Sequence, residues 1–111
     1  MKVAIIGSRS LNIEISLNFT PTEIVTGGAK GIDSCAANYA KQRGIKLKEF
    51  LPDYSANPKA APHIRNRKIV DYADIIIAHW DGVSKGTKSV IDYANKVGKP
   101  PIVYINGKIT R

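Results

Sequence analysis

Lys2-Val3-Ala4-Ile5-Ile6 is a nearly continuous apolar run halted by Gly7, and Glu23-Ile24-Val25-Thr26 repeats the design before Gly27-Gly28. Short unbroken runs of this kind mark strands covered on both faces, as in a parallel sheet. Ala73 to Ala78 and Ile102 to Ile105 supply two more, and Ile45 to Leu51, where Lys46 and Lys48 alternate with apolar neighbours, reads as an edge strand guarded by charge. Between these runs the period changes. Ile32, Cys35, Ala36, Tyr39 and Ala40 share one helical face from Gly31 to Arg43, with Gly44 as the stop. Val90, Ile91, Ala94 and Val97 do the same from Thr87 to Val97, ahead of Gly98 and Pro100-Pro101. A third helix opens at His63, with Ile64, Val70 and Tyr72 expected to face inward.

Two segments fit less neatly. Leu11, Ile13, Ile15, Leu17 and Phe19 alternate at period two, which favours a strand, yet a parallel crossover usually carries a helix, so a short helix is expected there. Pro52 to Pro62 holds three prolines and is expected to form a long loop that walls or covers a site. Right-handed crossovers then give an α/β, Rossmann-like, three-layer domain over residues 1–111, with a parallel five-stranded sheet in the order 3-2-1-4-5. In that order the loops after the first and fourth strands flank the crevice where the winding direction reverses. The flavodoxin-like order 2-1-3-4-5 would move the crevice.

A length of 111 residues suits one domain and leaves no room for a separate catalytic one. Seventeen Lys and Arg against nine Asp and Glu give a net charge of +8, which favours an anionic ligand or a polyanion as partner. Cys35 is the single cysteine, so no disulfide framework or cysteine-rich metal site can form, and it is expected to be a small buried side chain. No apolar stretch has the length of a membrane span, and the chain enters its first strand directly from Met1. The expected setting is cytoplasmic, with no membrane partner.

Candidate chemistry gathers in the loops. Gly7-Ser8-Arg9-Ser10 would present backbone N–H groups, hydroxyls and a guanidinium at the carboxyl end of the first strand, which is a phosphate cradle in outline. Gly27-Gly28-Ala29-Lys30-Gly31-Ile32-Asp33 leads into a helix, and Gly27 and Gly28 are expected to take positive φ and admit a ligand to the backbone. Asp33 has two readings, a helix cap or an acceptor for a ribose hydroxyl. In His63-Ile64-Arg65-Asn66-Arg67-Lys68 three cations crowd the first turns of a helix against its dipole, a conflict that a nearby anion would remove. Trp80 offers a flat face to a base, Gly86 and Thr87 offer donors to a phosphate, and Lys30 and Lys85 add charge at the rim. The glycine-rich segments follow neither the Walker A pattern nor the dinucleotide fingerprint, and no metal-ligand spacing is present.

Taken in order, Gly7-Ser8-Arg9, Gly27-Gly28-x-x-Gly31-Ile32-Asp33, Arg65-Asn66-Arg67 and Gly86-Thr87 resemble the motifs of the SLOG superfamily of Rossmann-like domains over nearly the whole chain. The resemblance is nearest to the small bacterial SLOG proteins that consist of this domain alone, and it implies binding or sensing of a nucleotide or nucleotide derivative. Gly28 to Asp33 and Arg65-Asn66-Arg67 are also similar to segments of the DNA-processing protein Smf, which implies single-stranded nucleic-acid binding. Arg67-Lys68 and Gly86-Thr87 are similar to parts of the cytokinin-activating phosphoribohydrolases, which implies cleavage of an N-glycosidic bond in a nucleoside monophosphate. Those enzymes carry a glutamate where this chain has Val90, and cleavage through an oxocarbenium-like state calls for a carboxylate. Asp92 lies about 200° around the helix from that position and cannot stand in for it in the same geometry; Asp33 or Asp81 could supply the carboxylate instead, which keeps a hydrolase as the alternative expectation.

The leading expectation is therefore a nucleotide-binding or sensing module rather than an enzyme, without cofactor or metal. Gly7, Ser8, Arg9, Gly27, Gly28, Gly86 and Thr87 would hold phosphate, Arg65 and Arg67 would neutralise it, Asp33 would meet the ligand or the helix, and Trp80 would contact the base or sugar. The expected partner is a nucleotide-like small molecule; the basic charge adds weak, salt-sensitive nucleic-acid binding, and self-association is compatible with the sequence.

Overall fold

The computed structural model describes residues 1–110. Its elements are β1 (Lys2–Gly7), β2 (Glu23–Thr26), α1 (Ile32–Arg43), β3 (Lys46–Glu49), α2 (Ala61–Tyr72), β4 (Ile75–Trp80), α3 (Lys85–Lys96), β5 (Ile102–Ile105) and β6 (Lys108–Thr110). The strands form one sheet in the order β3-β2-β1-β4-β5-β6. All pairings are parallel except β5 with β6. The expected 3-2-1-4-5 arrangement holds, and a sixth, antiparallel strand extends it. That strand follows a tight turn with positive φ at Asn106 and Gly107, and its Lys108, Ile109 and Thr110 are all exposed. Its three residues carry no apolar run by which periodicity could reveal it.

Alternation along the central strands divides the core. Val3 and Ile5 of β1 face α1 with Ile24, Ile32, Ala36, Tyr39, Ala40 and Ile77. Ala4 and Ile6 face α2 and α3 with Val25, Ile69, Val70, Ile76, Val90 and Ala94. Burying each of the larger side chains contributes about 1.5–3 kcal/mol, and these two layers fix the sheet between its helices.

The connection from β1 to β2 differs from expectation. No helix forms between Leu11 and Phe19; the segment is irregular, and Leu11, Ile13, Ile15 and Leu17 pack on the α1 layer while the residues between them are exposed. Nine extended residues reach roughly 30 Å, enough to return beside a strand without a helix, and the period-two alternation places every second side chain on the core. In α2 the buried residues are Ala61, Asn66, Ile69 and Val70, whereas Ile64 is 46% exposed. Ile64 is two positions from Asn66, about 200° around the helix, so it cannot share the inward face. Val97 lies beyond α3 as an exposed C-cap residue. Cys35 is half-buried, with its Sγ 3.2 Å from Asn12 Oδ1.

Candidate functional site

The two loops at the reversal point of the sheet are tied to one another. Ser8 N–H donates to the His79 carbonyl at 3.0 Å. Asp81 N–H donates to Ser8 Oγ at 3.1 Å, and Ser10 Oγ donates to Asp81 Oδ2 at 2.9 Å. Ser8 Oγ also stands 3.4 Å from Thr87 Oγ1 at the start of α3. Ser8 is accordingly buried, and its hydroxyl joins loops instead of facing open space. Asp81 Oδ1 accepts the N–H groups of Val83 and Ser84 at 2.9 and 2.7 Å, closing the turn into α3. Those bonds hold its carboxyl below the usual carboxylate range.

The loop after β1 also lies hard against the start of α1. Gly31 has φ 75°, and a β-carbon there would fall 2.5 Å from the Ser8 carbonyl oxygen. Only glycine meets both demands. Of the preceding pair, Gly28 takes positive φ as expected but Gly27 does not. Gly27 is small for another reason: a β-carbon there would lie 2.6 Å from Arg65 Nη1. Arg65 reaches in from α2 and donates through Nη1 to the Gly27 carbonyl at 2.8 Å and through Nε to Asn66 Oδ1 at 2.9 Å. Burial lowers the pKa of this guanidinium, and the neighbouring Asp33 opposes the shift.

Asp33 does not cap its helix. The N-cap is Gly31, no side chain caps α1, and Asp33 sits in the first turn with Oδ2 accepting the Ala29 N–H at 3.2 Å. It is 6% exposed. Its Oδ1 and the Oγ1 of Thr26 are closed off from solvent beside one another and have no other partner. Burial pushes the Asp33 carboxyl above its ordinary pKa, while the Ala29 N–H, Thr26 and Arg65 pull it back.

These walls enclose a cavity of about 420 Å³ at the carboxyl ends of β1 and β4. Gly7, Arg9 and Ser10 come from the β1 side and Ala29 and Asp33 from the start of α1; Pro62, Arg65 and Asn66 come from α2. Asp81, Ser84, Gly86, Thr87 and Val90 complete it from the β4–α3 side. No side chain caps α3, so its first-turn N–H groups and the positive end of its dipole are available to a ligand. Arg9 is exposed at the edge of the cavity.

Gly7, Arg9, Asp33, Arg65, Gly86 and Thr87 thus meet in one cavity, with Ser8 buried behind it and Gly27 and Gly28 outside its lining. Two of the sequence-selected residues lie elsewhere. Trp80 is half-buried at the end of β4, and its indole N–H donates to the Ser84 carbonyl at 2.9 Å. Arg67 is on the exposed side of α2, 5.7 Å from the centre of the Tyr93 ring. It lines a separate groove of about 390 Å³ between α2 and α3, together with Lys85, Lys88 and Lys96. Lys30 lines neither space. Asn66 was not singled out in the sequence, and Asp81 entered there only as a possible carboxylate for cleavage. Asp81-Gly82 ahead of a helical run is also a turn signal, which is the role Asp81 takes; Asn66 becomes notable only once its burial is known.

Residues 14–56 match the model of the YspA, cpYpsA-related SLOG family. This match supports membership of the SLOG superfamily. The matched stretch carries β2, the glycine-rich loop, α1 and β3, so it includes Asp33 and Gly27. The Arg9, Arg65 and Gly86-Thr87 walls of the cavity lie outside it. No curated protein and no solved structure matches the chain. Among the described residues no cluster of His, Cys, Asp and Glu is arranged to hold a metal ion, and no helix is long and apolar enough to cross a membrane.

Proposed function

We propose that the cavity binds a nucleotide or nucleotide derivative and that the domain acts as a binding or sensing module. One observation carries this reading: a cavity of about 420 Å³ at the reversal point of the sheet brings Arg9 together with the uncapped N-terminus of α3 at Gly86 and Thr87. The volume lies within the usual range for small-molecule sites, roughly 300–1,000 Å³. Helix N-termini attract phosphate, and a guanidinium adds bidentate donors and a full charge. SLOG membership is consistent with nucleotide-related binding or processing.

Mass spectrometry of small molecules released from natively purified protein should detect a nucleotide or a derivative. Calorimetry with that compound should then show Arg9→Ala binding about ten-fold more weakly or worse, the loss of one charge-assisted contact. Absence of any retained nucleotide, together with no heat from a panel of common nucleotides, would overturn the reading.

Two carboxyls line the cavity, but both oxygens of Asp81 accept bonds from Ser10, Val83 and Ser84 and Asp33 is buried, which favours binding over cleavage. Val90 is buried in the cavity wall, whereas Asp92 lines the α2–α3 groove and pairs with Lys88 at 2.9 Å. The protein is therefore expected to release no ribose 5-phosphate from nucleoside monophosphates at an enzymatic rate. Turnover that vanishes in Arg9→Ala would contradict this.

A further inference from the structure

The cavity adjoins the α2–α3 groove at the start of α3. Asn66 lines both spaces, and Lys85 of the groove directly precedes Gly86 and Thr87 of the cavity wall. At this junction Asn66 is only 7% exposed. Its Oδ1 accepts a bond from Arg65 Nε, a group that can only donate, so the amide is fixed with its nitrogen turned away from Arg65. That Nδ2 makes no bond within the protein, and it is not among the buried atoms closed off from solvent, so a ligand at the junction can reach its N–H donors.

Past Asn66 the groove is charged for an anion. Its single acid, Asp92, is already paired with Lys88 at 2.9 Å. Arg67 and Lys85 are exposed, and among the described residues neither is paired with a carboxylate. Lys85 stands in the first turn of α3, where there is no acid and no side-chain cap, so its charge adds to the positive end of the helix instead of offsetting it. A single phosphate at Gly86 and Thr87 would answer the helix terminus and leave Asn66, Lys85 and Arg67 without an acceptor. A second phosphate joined to the first answers all three. We propose that the ligand carries a chain of at least two phosphates, the first at the N-terminus of α3 and the next in the groove against Asn66 Nδ2, Lys85 and Arg67. The proposal rests on the nucleotide reading of the cavity and makes the ligand a nucleoside diphosphate or a compound built on one.

The test is calorimetry with the common nucleoside 5′-monophosphates and their 5′-diphosphates, in buffer without divalent cations. For the best-bound base the diphosphate should bind about ten-fold more tightly than the monophosphate, the gain of one charge-assisted contact. Arg67→Gln removes a charge from an exposed position and should lose most of that gain while binding the monophosphate as the wild type does. Asn66→Asp keeps one oxygen on Arg65 Nε and turns a second, anionic oxygen toward the junction, so it should bind the diphosphate no better than the monophosphate. Lys41→Gln makes the same change of charge on an exposed residue of α1 that lines neither space, and should keep the full gain. Equal binding of mono- and diphosphates by the wild type would overturn the proposal and leave the nucleotide reading standing. So would a gain that survives in either Arg67→Gln or Asn66→Asp, or one that Lys41→Gln also loses, which would trace it to the overall charge of the molecule. If the wild type bound none of these nucleotides, both readings would fall.

Discussion

At Asp33 burial and hydrogen bonding pull in opposite directions, and burial is the larger effect. A carboxyl whose pKa is higher in the folded state than in the unfolded one holds its proton longer when native. Its contribution to stability is fully present below the ordinary aspartate pKa and is lost as pH rises through the raised folded value. Denaturation midpoints measured from acid to neutral pH should therefore show the wild type losing ground to Asp33→Asn as pH increases. A difference that stays constant across that range would refute the shift. Little of this was legible in the sequence. Asp33 stood out as a polar residue at a helix start, with a cap as one of two readings, but a cap would have been solvent-accessible and already bonded. Only the fold, which sets it beside Thr26 at the end of β2 and brings Arg65 in from α2, made it a buried acceptor.

Among the elements, the C-terminus of α2 shows how a distant residue completes a helix. Lys99, in the turn before β5, places its Nζ 2.9 Å from the Val70 carbonyl, 3.1 Å from that of Asp71 and 2.9 Å from that of Ala73. The last carbonyls of a helix lack intrahelical partners and carry the negative end of its dipole. Replacing Lys99 with Met keeps the apolar stem and removes the charge, and is expected to destabilise the fold by about 1–2 kcal/mol. Urea unfolding measures this; a loss below about 0.3 kcal/mol would mean that water substitutes fully for the ammonium. The strands and helices themselves were readable because each carries its own period. The β1–β2 crossover was misread because its alternation was set aside for a topological habit, and β6 because it is three exposed residues held by pairing with β5.

For the whole molecule, the net charge of +8 has a consequence separate from the cavity. The α2–α3 groove gathers Arg67, Lys85, Lys88 and Lys96 around a single acid, Asp92. A surface of this kind attracts a phosphate backbone whatever the cavity binds. Binding of a labelled single-stranded oligonucleotide, followed by fluorescence anisotropy across a salt series, should weaken with a log–log slope of about −0.7 per phosphate neutralised. It should nearly vanish at moderate salt. The small ligand, which engages few phosphates, should respond more shallowly, and Arg9→Ala should weaken it more than the oligonucleotide. Salt-resistant oligonucleotide binding would shift the reading toward a nucleic-acid function.

Local patterns in the chain were enough to determine the strand order and the position of the crevice, since unbroken apolar runs, helical stripes and right-handed crossovers leave few arrangements. They also placed Gly7, Arg9, Arg65 and Gly86-Thr87 on loops at one end of the sheet. Tertiary packing decided which of those residues share a space. Trp80 is bonded to Ser84 and Arg67 belongs to another groove, while Asn66 and Asp81 line the cavity. The physical reason is that secondary structure follows from interactions within a few residues. The direction and bonding state of a site side chain depend on partners 38 positions away, as for Arg65 and Gly27, or 73, as for Asp81 and Ser8.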